Sequence, residues 1–191
     1  MDESLPQRLH VGDPSAFDAV YARFRPGVYR YLARLCRSRA LAEELSQEVW
    51  LRFAAHARRL PPEVELAPWL FTVARNLYRS QHRRQLLTSR WLHEFAGLAG
   101  ITRLRRHDES PFETLAASRL QRELEQALVN LPERYREIVL LVAIEHLTPG
   151  EAACVLGISP EAARQRLSRA RERLARTLAK TSEPQTVGES T

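Results

Sequence analysis

The stretch LTPGEAACVLGISPEAARQRLSRARERL, residues 147–174, contains two helix starts close together. Thr148 precedes a proline and lies three residues before Glu151, which is the pattern of a capping box with proline at the first helical position. Ser159, again followed by proline, is a second N-cap signal. Gly157 lies between the two starts and can adopt the left-handed conformation that ends a helix. The stretch therefore predicts a helix-turn-helix.

The second helix of this motif has two different sides. At about 100° per residue, one narrow apolar stripe is predicted to pack inward. Its members are Ala163, Leu167, Ala170, Leu174 and Leu178. The opposite side is a polar crest made of Glu161, Gln165, Ser168, Arg169 and Glu172. Arginines flank the stripe, Arg164 and Arg171 on one edge and Arg166 and Arg173 on the other. Such a helix fits the major groove of DNA, although an ordinary solvated, arginine-rich helix has the same pattern.

The composition of the whole chain narrows the class of protein. Its 191 residues suffice for one large or two small domains. The net charge of +6 favours a polyanionic partner, either nucleic acid or a membrane surface. Lys180 is the only lysine, and arginine is the residue best suited to forked contacts with phosphate and guanine. Because strand signals are almost absent and helical periodicity runs nearly throughout, the fold is predicted to be all-α.

Several function classes lack their sequence signals. Cys36 and Cys154 are far apart and have no C-x-x-C or Cys/His spacing, so both are predicted to be small core residues in a reducing compartment rather than metal ligands. No phosphate-binding loop or zinc-protease motif occurs and the histidines are isolated, so neither an enzyme nor a cofactor is expected. With no secretory signal and no apolar run near the ~20 residues of a membrane span, the protein is expected to be cytoplasmic without membrane insertion.

The first half of the chain reads as a series of helices. Asp13-Pro14 starts the first, Pro26-Gly27 is predicted to break it, and a second begins near Val28. Residues 40–60 form the next, with a predicted buried stripe. The stripe consists of Leu41, Leu45, Val49 and Phe53. The acidic and amide side chains on its other faces are Glu43, Glu44, Gln47 and Glu48. Such a surface is usually only solvated, but it can also be an interface.

A basic region follows. Residues 61–68 are predicted to form a proline-bounded loop, and a helix runs from Trp69 to Arg84. The side chains predicted to cover the outer faces of this helix are Arg75, Asn76, Tyr78, Arg79, His82, Arg83 and Arg84. From Phe71 to Arg106 there are eight arginines and one acid, which gives a local charge of +7. Basic residues interleaved with Tyr and His suit single-stranded nucleic acid, whose bases stack on the rings. A basic helix end that continues into a basic linker explains the spacing equally well.

The loss of periodicity after residue 85 predicts two small helical domains joined by a flexible linker. The predicted boundaries are 10–86 for the first domain, 87–117 for the linker, 118–180 for the helix-turn-helix domain and 181–191 for a disordered tail. A short helix is expected near Trp91 to Leu98, and the docking site of Trp91 and Phe95 stays open. The second domain is predicted to begin with an inward row of Leu120, Leu124, Ala127, Leu128 and Leu131.

Four motifs in the chain indicate a particular family. In order they are AEELSQEVWLRF, APWLFTVARNLYRSQHRR, LPERYREIVLL and the helix-turn-helix itself. In order and spacing they resemble the motifs of extracytoplasmic-function sigma factors, the smallest members of the main bacterial sigma family, over residues 10–178. The resemblance implies a sigma-two and a sigma-four domain. It also implies a non-enzymatic promoter-specificity subunit, active in transcription initiation and often in stress responses. The implied partners are core RNA polymerase, through its β′ clamp helices and β subunit, promoter DNA in duplex and single-stranded form, and an anti-sigma factor.

The same resemblance assigns residues of the first domain. It places polymerase binding on Glu44, Leu45, Gln47 and Glu48, although Leu45 also fits the buried stripe. It places recognition of the melted downstream (minus ten) element on the loop Leu60 to Pro68 with Asn76, Arg79, Arg83 and Arg84. The family commonly has Asp where this chain has Ser80, so the contacts of that helix are not carried over completely.

In the second domain the resemblance implies major-groove recognition of the upstream (minus thirty-five) element. The implied base-reading residues are Arg164, Gln165, Ser168 and Arg169. From their position beside the crest, Arg166, Arg171 and Arg173 are candidates for phosphate contacts. Gln165 and Ser168 occupy variable positions, so the target sequence does not follow from a relative. The main alternative is a stand-alone helix-turn-helix repressor or activator, which would bind a palindromic duplex without polymerase.

Overall fold

The structure, a computed structural model, describes residues 4–96 and 119–182. The chain divides into two compact units, Met1–Pro111 and Phe112–Thr191. Every regular element within the described ranges is helical, which confirms the all-α prediction.

The first unit is built on three long helices that pack against one another. Helices α2, α3 and α4 contact each other in pairs, and α1 lies on α2 and on a short 3-10 turn. The elements are α1 (Leu5–His10), α2 (Pro14–Cys36), α3 (Arg39–His56), the 3-10 turn (Ala57–Arg59) and α4 (Leu66–Ala96). Local caps start two of these helices: the Asp13 carboxylate accepts from the Ser15 amide at 2.9 Å, and the Ser38 hydroxyl accepts from the Leu41 amide at 3.3 Å.

Aromatic rings fill the core of this unit. Phe53 on α3 is fully buried, and its ring centroid lies 5.2 Å from that of Phe17 on α2. Its centroid also lies 5.9 Å from those of Trp50 and of Trp69 on α4. Phe53 therefore joins all three long helices, with ring pairs in the distance range that stabilises beyond area burial alone.

Helix α2 continues through Pro26, so the predicted break at Pro26-Gly27 is wrong. A proline in a helix interior costs about 3 kcal/mol relative to alanine. Val20 before it and Val28 and Leu32 after it are all fully buried and lie on one helical side. Full burial of each such side chain stabilises the fold by about 1.5–3 kcal/mol. A continuous α2 keeps the buried side chains before and after Pro26 on the same side, and their burial offsets the free-energy cost of the proline.

Helix α4 is longer than predicted at both ends. It begins at Leu66, so the loop before it is shorter than residues 61–68. Pro68 lies in the first turn, where its missing N–H costs no intrahelical bond. The helix continues to Ala96, so residues 85–96 extend α4 instead of forming a linker with a separate short helix. Neither glycine nor proline occurs between Trp69 and Ala96. The rest of the predicted linker lies outside the described residues.

The second unit is organised around its last helix. Helix α8 packs against α5, α6 and α7. The elements are α5 (Arg119–Asn130), α6 (Glu133–Val139), a π-helical turn (Leu140–Ile144), α7 (Pro149–Leu156) and α8 (Pro160–Ser182). Thr181 and Ser182 belong to α8, so the predicted start of the tail at Thr181 is wrong by two residues. The remaining tail, 183–191, lies outside the described residues.

The predicted helix-turn-helix is confirmed in its details. The Thr148 hydroxyl accepts from the Glu151 amide at 3.2 Å, and the Glu151 carboxylate accepts from the Thr148 amide at 2.6 Å, which completes the capping box. Gly157 ends α7 with a φ of 64°. The Ser159 hydroxyl accepts from the Ala162 amide at 3.1 Å and so caps α8. These local bonds fix where α8 begins.

A buried arginine that the sequence analysis missed joins α5 to α6. Arg136 is only 7% exposed. Its Nε donates to the carbonyl of Leu128 at 3.0 Å, and its Nη2 donates to the carbonyls of Val129 at 2.8 Å and Leu131 at 2.9 Å. The carbonyls of Leu128 and Val129 lie in the last turn of α5, and that of Leu131 directly follows the helix. The Leu128 carbonyl also accepts from the Leu131 amide at 3.2 Å. The side chain therefore acts as the C-cap of a neighbouring helix.

Two inward assignments were wrong in this unit. Leu124, predicted in the inward row of α5, is 37% exposed, because only the C-terminal part of that helix is buried. Cys154 is exposed, since the buried positions of α7 surround it in sequence without including it. Cys36 in the first unit is half-buried, and burial raises the pKa of its thiol to about 12.

Metal-binding clusters and membrane spans are both missing from the part of the chain that the structure describes. No group of three or more His, Cys, Asp or Glu side chains is arranged there to hold a metal ion. No helix in that part is long and apolar enough to cross a bilayer.

Candidate nucleic-acid interface

Helix α8 has the two sides that its sequence pattern predicts. Ala163 and Ala170 are fully buried, and Leu167 is 5% exposed. The crest on the opposite side is exposed at every position, namely Glu161, Gln165, Ser168, Arg169 and Glu172. The helix is thus anchored along the first three members of its apolar stripe, whereas Leu174 and Leu178 are only half-buried. Its other side offers a continuous polar surface to the solvent.

The implied base-reading side chains are bonded within this surface. Arg164 donates from Nη2 to Oε2 of Glu161 at 3.0 Å, and Gln165 donates from Nε2 to Oε1 of the same carboxylate at 3.3 Å. Ser168 donates to Glu172 at 3.3 Å. Arg164, Gln165, Ser168 and Arg169 are all exposed and share about two turns of α8, so one ligand can reach all of them.

The flanking arginines differ in their surroundings. Arg171 and Arg173 are exposed, whereas Arg166 is half-buried. The guanidinium carbon of Arg173 lies 5.0 Å from the ring centroid of Tyr135, and that of Arg134 lies 4.8 Å from the same centroid. Burial raises the pKa of the Tyr135 hydroxyl, but the positive charges of Arg134 and Arg173 outweigh it and bring the pKa below its usual value. Arg134 thereby adds positive charge from α6 to this edge of α8, a contribution that the sequence pattern did not indicate.

The candidate downstream-element residues lie on the exposed side of α4. Asn76, Arg79, Arg83 and Arg84 are all exposed. Arg75 and Tyr78 were predicted to share the outer surface, but they are only 9% and 6% exposed and belong to the packed side. In the preceding loop the Val64 amide donates to the Pro61 carbonyl at 3.0 Å, which forms a tight turn. Three of the implied side chains, those at 76, 79 and 83, fall within one narrow sector of the helix.

The candidate polymerase surface on α3 is partly exposed. Glu44 and Gln47 are exposed, and Glu48 is half-buried and accepts from Arg52 at 2.8 Å. Leu45 is only 5% exposed and lies in the core, in agreement with the predicted buried stripe. Leu51 lies seven residues, about two turns, after Glu44 on the same side of α3 and is 66% exposed. Sequence reasoning missed Leu51 because a leucine between buried aromatics is normally assigned to the core.

Comparison with known proteins matches both units. The family model of sigma-70 region 2 matches residues 20–87, and that of sigma-70 region 4 matches residues 121–174. The RNA polymerase sigma factor CarQ of Myxococcus xanthus is 34% identical over 172 residues, with 88% of this chain and 92% of the relative covered. The ECF RNA polymerase sigma factor SigM of Bacillus subtilis is 30% identical over 165 residues, with 82% and 91% covered.

Two solved structures share the fold. CnrH in complex with the cytosolic domain of CnrY has a TM-score of 0.68 at 22% identity, over 93% of this chain and 97% of CnrH. The sigma factor RpoE in complex with the anti-sigma factor NepR from Bartonella quintana has a TM-score of 0.67 at 24% identity, over 87% and 98%.

A helical unit of the region 2 type and a helix-turn-helix unit of the region 4 type define a sigma-70-type transcription initiation factor. The full-length relatives specify it further: the chain belongs to the extracytoplasmic-function (ECF) RNA polymerase sigma factors. It is therefore a DNA-binding factor of transcription initiation, and a stand-alone helix-turn-helix regulator is not favoured.

Proposed function

We propose that this sigma factor directs core RNA polymerase to promoters through three separate surfaces. The first domain, 10–86, docks on the β′ clamp helices through α3 and holds the melted downstream element with α4 and the preceding loop. The second domain, 118–180, reads the upstream element through α8. The observation that best supports the proposal is the exposed polar crest of α8 opposite its buried apolar stripe. The protein acts in the cytoplasm, where polymerase and DNA are found, and adds no catalytic chemistry of its own.

The polymerase surface consists of Glu44, Gln47 and Glu48, with Leu51 in place of Leu45. Carboxylate and amide groups on three of these positions supply polar contacts, and the exposed leucine supplies apolar area to bury. The β subunit is a further contact of the assembled enzyme.

For the upstream element, we expect Arg169→Ala to weaken binding by about 1–3 kcal/mol, the loss of one forked contact between arginine and a base. The loss should be largest on the selected element and small on unrelated duplexes. The holoenzyme first selects its promoters by transcription from a library, and binding to the selected upstream duplex is then measured by competition. Unchanged affinity and promoter choice would remove Arg169 from the base-reading set.

Arg171→Ala is the matched control for that experiment, because Arg171 is also an exposed arginine of α8 but is a candidate for phosphate contact. We expect it to weaken all duplexes to a similar extent and to reduce the slope of log affinity against log salt by about one. A sequence-selective loss on Arg171→Ala would contradict this division of roles.

For the downstream element, we expect Arg83→Ala to weaken holoenzyme binding to single-stranded non-template DNA. The salt slope should fall by about 0.7 for each phosphate that the variant no longer neutralises. Arg39→Ala removes the same charge from an exposed site on α3, where Arg39 pairs with Glu43 at 3.0 Å, and serves as the control. The experiment compares oligonucleotide affinities over a range of salt concentrations. Equal effects of the two substitutions would mean that Arg83 contributes only its positive charge and makes no specific contact with the single strand.

An anti-sigma factor is the proposed regulatory partner. CnrH was solved with the cytosolic domain of CnrY, and RpoE with the anti-sigma factor NepR. For this chain, a partner of that class would compete with core RNA polymerase for α3. A competition pull-down with core polymerase tests any candidate, and simultaneous binding of both would contradict competition at α3.

A further inference from the structure

One carboxylate of α8 holds two of the residues proposed to read bases. Glu161 is exposed on the crest, and its Oε2 accepts from both Nε and Nη2 of Arg164, at 3.3 and 3.0 Å. Its Oε1 accepts from Gln165 at 3.3 Å. The hydrogen bonds from Arg164 and Gln165 lower the pKa of Glu161 and so favour its charged form. Both of its oxygens are therefore occupied by the side chains that DNA would have to recruit.

Binding of DNA changes the surroundings of this carboxylate. When Arg164 turns to a guanine, it meets the two acceptors N7 and O6, and these offer nothing to a carboxylate. The freed Glu161 then faces acceptors and phosphates, which repel it. Only a base that presents an amino group in the major groove, cytosine or adenine, can donate to it. A duplex with the wrong sequence leaves the carboxylate without a donor, whereas a matching duplex restores the bonds that Arg164 and Gln165 gave up.

We propose that Glu161 determines specificity for the upstream element. In the free protein it holds Arg164 and Gln165. It releases them at little cost only to a duplex in which the base beside the guanine has an amino group that can donate to Glu161. This inference rests on the proposed role of α8. It adds that Glu161, which is not among the implied base-reading residues, lowers the affinity for all duplexes. The reduction is largest for duplexes that lack the selected sequence. Specificity of this kind depends on a repulsive element as much as on an attractive one.

Glu172 provides a matched control. It is exposed on the same side of the same helix, and substitution to glutamine changes the net charge equally. Its carboxylate accepts from Ser168 at 3.3 Å, so it holds one implied base-reading side chain through one bond and bonds to neither Arg164 nor Gln165. Glu161→Gln and Glu172→Gln therefore separate the effect of the particular pairing from the effect of one negative charge near DNA.

The experiment measures holoenzyme binding to the selected upstream duplex, to duplexes with single base-pair changes in it and to an unrelated duplex. With Glu161→Gln we expect affinity for unrelated duplexes to rise about three- to tenfold. Affinity for the selected duplex should change about twofold or less, so that the ratio between the two falls. Glu172→Gln should raise both affinities and change the ratio much less, because Glu172 holds only Ser168, through a single hydrogen bond. In an Arg164→Ala background, Glu161→Gln should change the ratio less, because one of the two side chains that Glu161 holds is gone.

An unchanged ratio in Glu161→Gln, or an equal fall in Glu172→Gln, overturns the inference. Arg169→Ala separates this failure from failure of the proposed function. If that variant loses preference for the selected duplex while Glu161→Gln keeps it, α8 reads DNA and the inference alone is wrong. If neither variant affects the preference, recognition of the upstream duplex by α8 is itself contradicted. Circular dichroism of each variant verifies that the helical content of the protein is unchanged.

Discussion

Arg136→Ala is expected to destabilise the second unit by about 3–5 kcal/mol, because it removes three hydrogen bonds that a buried charged donor makes to the carbonyls of Leu128, Val129 and Leu131. A unit of this size has a small core, and typical domain stabilities are about 5–15 kcal/mol in total. The loss should therefore unfold a measurable fraction of the second unit at 37 °C. Arg136→Lys should recover only part of the stability, since an ammonium group lacks the fork that spans three acceptors.

Hydrogen exchange with mass spectrometry is the suitable measurement, because it reports on each unit separately within the full chain. Peptides from α5 and α6 should lose protection in Arg136→Ala while peptides from α2 and α3 keep it. Arg122→Ala is the control, since Arg122 lies exposed on α5 and its removal should change stability by about 0.5 kcal/mol or less. Full protection of α5 in Arg136→Ala would contradict the capping role.

The second large effect distinguishes two leucines six residues apart on α3. Leu45 is 5% exposed, and Leu45→Ala is expected to destabilise the first unit by about 2–5 kcal/mol through the cavity it leaves. Leu51 is 66% exposed, and Leu51→Ala should change stability by about 0.5 kcal/mol or less. Binding of core RNA polymerase should respond the other way. Leu51→Ala should weaken it about tenfold, because the interface loses apolar area.

Urea unfolding followed by tryptophan fluorescence measures the first effect, since Trp50 and Trp69 both contact Phe53 in the core of the first unit. Affinity for core polymerase is then measured at a temperature at which Leu45→Ala is fully folded. Under those conditions Leu45→Ala should bind like the unsubstituted protein. A binding defect in folded Leu45→Ala, with normal binding of Leu51→Ala, would restore the original assignment of Leu45 and exclude Leu51.

The helix-turn-helix was predictable because its signals are local. A capping box, a proline after a cap and a glycine at a left-handed position each act within four residues, and Thr148, Gly157 and Ser159 all have the predicted roles. The division of α8 into a buried stripe and an exposed crest was predictable for the same reason. Helical periodicity places side chains by angle alone, without knowledge of the partner helices.

The errors occur where distant parts of the chain decide the outcome. Pro26 is a local helix-breaking signal, and the packing of α2 against α3 and α4 overrides it. The sequence indicates a surface position for Arg136, but its side chain is buried and donates to three backbone carbonyls at and just after the end of α5. Arg75 and Tyr78 read as part of a basic outer surface until α4 is placed in the bundle. In each case the burial of the residue depends on contacts with other helices. The periodicity of a short stretch of sequence does not show where those helices lie.

Cys36 and Cys154 differ in exposure, so a thiol reagent can label the second unit selectively without any substitution. The thiolate is the reactive form of cysteine, and burial keeps the Cys36 thiol protonated well above neutral pH. Cys154 is exposed on the first helix of the helix-turn-helix. A maleimide fluorophore applied near pH 7 should therefore attach at Cys154 and leave Cys36 unmodified. The natural sequence thus already carries an attachment point from which the arrival of the second unit at promoter DNA can be followed in real time.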